Sequence, residues 1–296
     1  MTKFIKLNDH KIGGIPDLIG GDKNELPVRG SKLITELYAN ICIIGRKESG
    51  KTSLLFLIIK ECIGKNTKVY LFGHTMNKDT GWLNIQKWLS NNGIHYEAFD
   101  KIEGNIEPIV AALQKDAKDG ADEEPEKGKK ARQIGMLVNE DPTKKKEKKP
   151  KFATPEIFFV FDDINLELRS KPIRTVLSEN RHWKSKMLFS THSVMNLFSD
   201  EARKLIDVYI VYQDQLRSIE EIWKDKEVPI PLDKFIEMYK QTTSKVMAQY
   251  KKNGKIKVIY YPFYIDRDHD SYRMGVKWGF NIKEPNKQIS KIIEQK

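Results

Sequence analysis

Cysteine is nearly missing from this 296-residue chain, which has two. Cys42 lies inside an apolar run and Cys62 follows Leu55, Ile58 and Ile59 at helical spacing, so both read as small core hydrophobes. Two such positions give neither a metal-ligand spacing nor a disulfide framework, which points to a reducing compartment. Long apolar stretches are missing as well. The longest, residues 54–59 and 157–161, fall far short of the ~20 residues that a membrane-crossing helix needs. Residues 1–11 lack the apolar segment of a secretion signal. The expectation is a chain that stays where it is made and has no membrane partner.

What is present suits a soluble globular protein: 39% of the residues are hydrophobic and 31% charged. The length allows one large domain or two small ones. One domain over residues 36–296, interrupted by an insertion at 119–150 and preceded by an irregular arm at 1–35, accounts best for the composition along the chain. Lys and Arg number 52 against 41 Asp and Glu, a formal net charge of +11. That balance favours a polyanionic partner such as nucleic acid, and says nothing about fold.

The chain is organised around residues 41–53. An apolar run, Ile41 to Ile44, breaks at Gly45 and passes through Arg46, Lys47, Glu48, Ser49, Gly50, Lys51, Thr52 and Ser53 into a stretch with Leu54, Leu55, Ile58 and Ile59 at helical spacing. A buried strand, a glycine-punctuated loop and a helix in that order make a phosphate-binding loop. Gly45 lets the chain turn sharply, the backbone N–H groups face phosphate oxygens, Lys51 reaches the β- and γ-phosphates, and Thr52 offers its hydroxyl to Mg²⁺. The bland alternative is a glycine-containing turn before an ordinary helix.

A second element follows at residues 157–165. Five apolar residues end in Asp162 and Asp163, which places Asp162 at a strand's carboxyl end to hold Mg²⁺ through water and Asp163 to polarise an attacking water. Alone, this is also what a simple turn or helix cap looks like. A third run, Lys186 to Phe189, ends in Ser190, Thr191 and His192, where a side chain could touch the γ-phosphate. A histidine capping a helix over residues 196–205 competes with that role.

Strands at residues 67–72, 95–99 and 207–212 alternate with helices at 82–89 and 105–117, the signature of a mostly parallel sheet flanked by helices. His74 and His95 read as local hydrogen-bonders. Residues 119–150 are nearly devoid of large apolar side chains apart from 134–138, and 144–149 is a lysine run with one glutamate. This basic, flexible insertion is either a solvated loop, a contact for nucleic acid backbone, or a nuclear-targeting patch. Farther on, Leu216, Ile219 and Trp223 mark a helix face, and Pro231 opens a longer helix through Val246 that Asn253-Gly254 ends. A C-terminal hairpin is expected, with strands 256–265 and 272–278 about a polar turn. The turn's aspartates do not make a calcium loop, because Ser271 stands where glycine is needed and Lys277 where a bidentate glutamate is needed.

Four features in chain order now carry a resemblance: Gly45-Arg46-Lys47-Glu48-Ser49-Gly50-Lys51-Thr52, Phe161-Asp162-Asp163-Ile164, Asn180-Arg181-His182 before a strand, and Ser190-Thr191-His192 at its end. Over residues 38–280 the chain resembles the genome-packaging ATPases of the FtsK/HerA superfamily of P-loop NTPases, in particular the poxvirus-type packaging ATPase. The resemblance implies a RecA-like core, ATP and Mg²⁺ as cofactors, and DNA-stimulated hydrolysis. It implies Lys51 and Thr52 for phosphate and metal, Asp162 for metal, Asp163 as catalytic base, and His192 where many relatives carry a γ-phosphate-sensing Gln. It also implies a homo-oligomeric ring on double-stranded DNA, capsid or portal partners, and an intracellular place at viral assembly sites and in the virion. Rings of this kind take an arginine from a neighbour; Arg181 is the candidate, with Arg174 and Arg203 as rivals. Two departures stand out: the long basic insertion, and Asp rather than Glu at the base position. A nucleotide or small-molecule kinase and a non-catalytic DNA-binding scaffold remain as alternative readings of the same loop.

Overall fold

A computed structural model of the chain describes residues 26–122, 151–164, 167–193, 200–252, 255–276 and 278–280. The N-terminal 25 residues of the expected arm and most of the basic insertion lie outside the described residues. Of residues 26–35, Leu33 and Ile34 are buried in the core, and Val28 bridges Ala153.

The apolar runs become strands: β1 Asn40–Ile44, β2 Lys68–Phe72, β3 Tyr96–Phe99, β4 Ile157–Asp162, β5 Ser185–Thr191 and β6 Val208–Val211. All six are parallel. Three further strands, β9 Phe263–Asp266, β10 Ser271–Met274 and β11 Trp278–Gly279, join the β6 edge antiparallel. The sheet order is β11-β10-β9-β6-β1-β5-β4-β2-β3. A separate ribbon pairs β7 Val246–Lys252 with β8 Lys255–Tyr260.

Both faces of the parallel strands are buried, as their unbroken apolar sequences require. Along β4 the side chains alternate: Phe159 and Phe161 belong to one core, Phe158 and Val160 to the other. One face is covered by helices α1 Lys51–Cys62 and α2 Thr80–Asn91, the other by α3 Ile106–Asp122, α4 Lys171–Ser178, α6 Leu216–Asp225 and α7 Leu232–Thr243. Helix α5, Asp200–Lys204, precedes β6. Stacked rings of Phe99, Phe72, Phe161 and Phe189 run across β3, β2, β4 and β5 with centroids 4.9–5.1 Å apart. They form a stiff floor beneath the carboxyl ends of the strands. Cys42 and Cys62 are both free and buried. No helix among the described residues is long and apolar enough to cross a membrane. This is the expected α/β P-loop NTPase fold, a mostly parallel sheet between helices.

The C-terminal part differs from expectation. The helix opened by Pro231 stops at Thr243 instead of running through Val246, and residues 246–252 form a strand. Asn253-Gly254, expected to end that helix, lie outside the described residues. The expected strand 256–265 is two strands, interrupted at Tyr261-Pro262, because proline lacks the ladder donor. The expected hairpin survives as β9–β10, with Tyr272 opposite Ile265.

Candidate active site

The register lines up three strand ends. Ile44 of β1 pairs with Thr191 of β5, and Asp162 of β4 pairs with Ser190. β5 lies between β1 and β4, so whatever follows it stands between the glycine loop and the acidic strand end. Ligands of open α/β sheets collect at such carboxyl edges.

Residues 45–50 turn from β1 into α1. A side chain at Gly45 would come 2.7 Å from Ser49 Oγ and 2.9 Å from Tyr212 Cβ, so only glycine fits. Glu48 (φ 64°) and Gly50 (φ 98°) hold left-handed backbone, which curls the loop's N–H groups toward one point. Gly50 caps α1 without a side-chain acceptor, leaving the first-turn amides and the positive end of the helix for an anion. The Lys51 ammonium folds over this cradle, donating to Gly45 O at 2.6 Å and Arg46 O at 3.0 Å. Burial pushes its pKa down, and the nearby Asp162 and Asp163 carboxylates oppose that. An anion with phosphate geometry would satisfy it better than two carbonyls do.

Asp162 ends β4, largely buried. Its Oδ2 accepts a 2.7 Å hydrogen bond from Trp82 Nε1, a side chain of α2 that is itself buried. Burial holds this carboxyl above the usual carboxylate range, while the Ser190 hydroxyl and the Trp82 donor, and then the Lys51 charge, pull it down. A divalent cation beside it would stabilise the ionised form. Thr52 is half-buried on α1, with its methyl near Gly81 at the start of α2.

Asp163 takes left-handed backbone (φ 56°), which turns its half-exposed side chain back toward β5. There Oδ1 lies 3.2 Å from His192 Nε2. The opposite ring nitrogen, Nδ1, lies 3.0 Å from Gly45 O and 3.4 Å from Lys51 Nζ. His192 thus bridges the acidic strand end and the phosphate loop, and both its nitrogens face acceptors. The histidine stands at the loop rather than capping α5, whose described residues begin at Asp200. Thr191, in contrast, is buried, and its hydroxyl donates to Ser193 O at 3.2 Å, closing a local turn.

The arginines fall elsewhere. Arg181 is exposed before β5 begins, at the sheet edge opposite the loop. Arg203 is buried and paired with Asp225 at 2.7 Å. Arg174 is exposed on the first turn of α4. Asn180 is structural: its amide donates to Tyr38 O and to Asn40 Oδ1, each at 3.3 Å, and Asn40 in turn donates to Leu177 O and Leu205 O. This network pins the amino ends of β1 and β5.

Sequence reasoning placed Trp82 on a helix face and gave it no partner. A buried indole N–H needs an acceptor, and that signal was available. It also gave Lys257 no partner, whereas on β8 its Nζ lies 2.7 Å from Glu48 Oε2. Beside the loop, a largely apolar pocket of 520 Å³ is lined by Gly50, Ser53, Tyr212, Ile259, Tyr261 and Met274 among others.

No protein-family model matches the chain, and no curated protein does. Solved structures similar to it include the genome-packaging NTPase B204 from Sulfolobus turreted icosahedral virus 2 in complex with AMP, at 14% identity over 80% of this chain and 96% of that one, TM-score 0.45. Another is EssC (ATPases 2 and 3) from Geobacillus thermodenitrificans, at 10% identity over 69% of this chain and 44% of that one, TM-score 0.37. The cytoplasmic domain of the type VII secretion ATPase EccC from Thermomonospora curvata is similar at 13% identity over 76% of this chain and 25% of that one, TM-score 0.35. The assignment of a P-loop NTPase fold rests on this chain's own strand order and glycine loop.

Proposed function

We propose that the chain is an ATP-hydrolysing, DNA-translocating motor that packages a viral double-stranded DNA genome, of the FtsK/HerA superfamily and resembling its poxvirus-type members. The observation that carries hydrolysis is the meeting of Lys51, Asp162, Asp163 and His192 at one carboxyl edge. A phosphate-binding lysine, a buried carboxylate, and an exposed carboxylate bridged by histidine back to the loop are the parts that water attack on a phosphoryl group requires. For DNA the support is the net charge of +11 and the resemblance.

The residues suit a nucleotide with Mg²⁺. The loop amides and the Lys51 ammonium would take the β- and γ-phosphates, and the apolar pocket beside Gly50 and Ser53 would take the base. Thr52 and Asp162 would hold Mg²⁺, which when bound draws charge from the phosphate oxygens. Trp82 fixes one Asp162 oxygen, and Ser190 beside the same carboxyl helps to hold it toward the metal. Asp163 orients a water and accepts its proton as the water oxygen bonds to the γ-phosphorus and the bond to ADP breaks. His192 holds Asp163 in place and senses the γ-phosphate beside Gly45. Arg181 would serve a neighbour in a ring only if the ring presents the amino edge of β5; Arg174, exposed on the first turn of α4, is its rival.

Replacing Lys51 by Ala tests the site. Phosphate release is expected to fall at least about a hundredfold, the scale for losing one preorganised electrostatic group, with an unchanged thermal midpoint. Wild-type turnover in a folded variant would overturn the assignment. Release of phosphate without any acceptor compound separates hydrolysis from a kinase.

A further inference from the structure

The β7–β8 ribbon pairs with no strand of the main sheet and packs against its core through Ile259, and a two-stranded ribbon needs such a reason to persist. Between residues 245 and 265 the chain carries five lysines, at 245, 251, 252, 255 and 257, and no acidic residue. Lys251 is exposed and stands directly opposite Ile256, so the two share one face. Ile256 is 71% exposed, more than any other large apolar side chain among the described residues, and Val246, opposite Tyr260 at the other end of the ribbon, is exposed too. Lys257 and Ile259 turn the other way. Lys257 pairs with Glu48 in the phosphate loop, and Ile259 Cγ2 lies 3.4 Å from where a Gly50 side chain would begin. The 257–260 part of β8 is thus tied to the nucleotide loop, with Val258 and Tyr260 also lining a pocket with Arg46, Lys47, Glu48 and Ser49, while Lys251 and Ile256 at the other end of the ribbon are open to solvent.

We propose that the end of the ribbon that carries Lys251 and Ile256, with Lys252 and Lys255 next to them along the two strands, is the surface that grips duplex DNA, with the lysines on phosphates and Ile256 against the sugars, and that the Glu48–Lys257 pair links the grip to the nucleotide loop. The inference rests on the motor reading above and names the element that meets the DNA. Seven residues of β7 span about 23 Å at the usual rise, and a two-stranded ribbon fits the major groove of B-form DNA. An acid-free cationic ribbon is complementary to phosphate and repelled by no part of it. The contacts are to backbone, so the ribbon carries little sequence preference, as translocation along any genome requires.

The test is duplex binding without nucleotide, read by fluorescence anisotropy on the full chain across a salt series. In the Lys251→Ala, Lys252→Ala, Lys255→Ala variant, affinity is expected to fall about tenfold or more near 0.1 M salt. The slope of log affinity against log salt should become shallower by about 2 to 3. Lys251→Glu alone, on an exposed side chain, should flatten the slope by about 1 and guards against misfolding of the triple variant. Wild-type affinity and slope in these variants would overturn the ribbon alone. So would a loss of slope only on neutralising the lysines of residues 144–149. Absence of salt-sensitive duplex binding by the wild type would overturn the motor reading and the ribbon with it.

Discussion

Residues 40–193 and residues 244–280 show two ways a sequence can determine structure. In the first region each element is buried on both faces or amphipathic, so its own period says what it is. In the second, residues 244–252 follow a helix and continue its spacing, yet 246–252 form a strand that pairs with 255–260 in a ribbon reaching the phosphate loop through Lys257. The first region builds the chemistry, and the second brings it a contact that no local pattern announces. Substitutions that separate chemistry from coupling therefore sharpen the contrast.

The largest effect is expected at Asp163. Asp163→Asn keeps the shape and loses the basic group, so turnover should fall about 10²- to 10⁴-fold while ATP affinity holds, measured by phosphate release and by nucleotide titration. Normal turnover would remove Asp163 from the role of base. Next comes Trp82→Phe, which deletes the donor to Asp162 Oδ2 and keeps most of the ring's packing. The Mg²⁺ concentration for half-maximal turnover should rise about ten- to a hundredfold, as for other groups that orient a metal's carboxylate. An unchanged Mg²⁺ requirement would mean that the indole only packs.

A smaller effect is expected across the two regions. Lys257→Met breaks the Glu48 pair, worth about 0.2–1 kcal/mol at most in stability because it is partly exposed. Duplex DNA should then change the hydrolysis rate less than in the wild type. Equal stimulation would show that the pair does not transmit.

The smallest is a stability effect whose sign follows from burial. Burial raises the Asp162 pKa, so the folded chain binds that proton at higher pH than the unfolded chain does. The associated stability is present at low pH and is lost as pH rises through the raised folded value, leaving the bare carboxylate a cost at neutral pH. Without Mg²⁺, Asp162→Asn should melt about 2–4 °C above the wild type near pH 8, with the gap closing toward pH 4, near the unfolded carboxyl value. A lower midpoint at pH 8 would contradict the burial argument. Greater stability with no turnover is the mark of a residue kept for function.

Much of the first region was legible because each piece is local. Gly45 and Gly50 declare the turn, five apolar residues before Asp162 declare a buried strand, and Ser190 to His192 end another. What stayed hidden is pairwise and distant. Nothing near Trp82 names Asp162 as its acceptor, since β4 comes beside α2 only after the crossover is made. His192 was legible as a site residue, but its bridge to Asp163 depends on left-handed backbone at Asp163, which the sequence does not encode. Thr191 looked equally suited to phosphate, and only strand alternation turns it inward. Arg181 was placed by chain order alone, and the sheet puts it at the far edge. The ribbon was misread because Val246 continues the helical spacing of Phe235, Ile236 and Tyr239, while Ser244, which caps the end of α7, carries no strong stop signal.

The most direct test is steady-state phosphate release from Mg²⁺-ATP by the wild-type chain and the Lys51→Ala variant, each with and without a short duplex. The expected result is wild-type turnover that duplex DNA accelerates in a salt-sensitive way and that Lys51→Ala removes in both conditions. Turnover that survives Lys51→Ala, or a pure wild-type chain that releases no phosphate with DNA present, would contradict the assignment of this edge as a hydrolytic motor site.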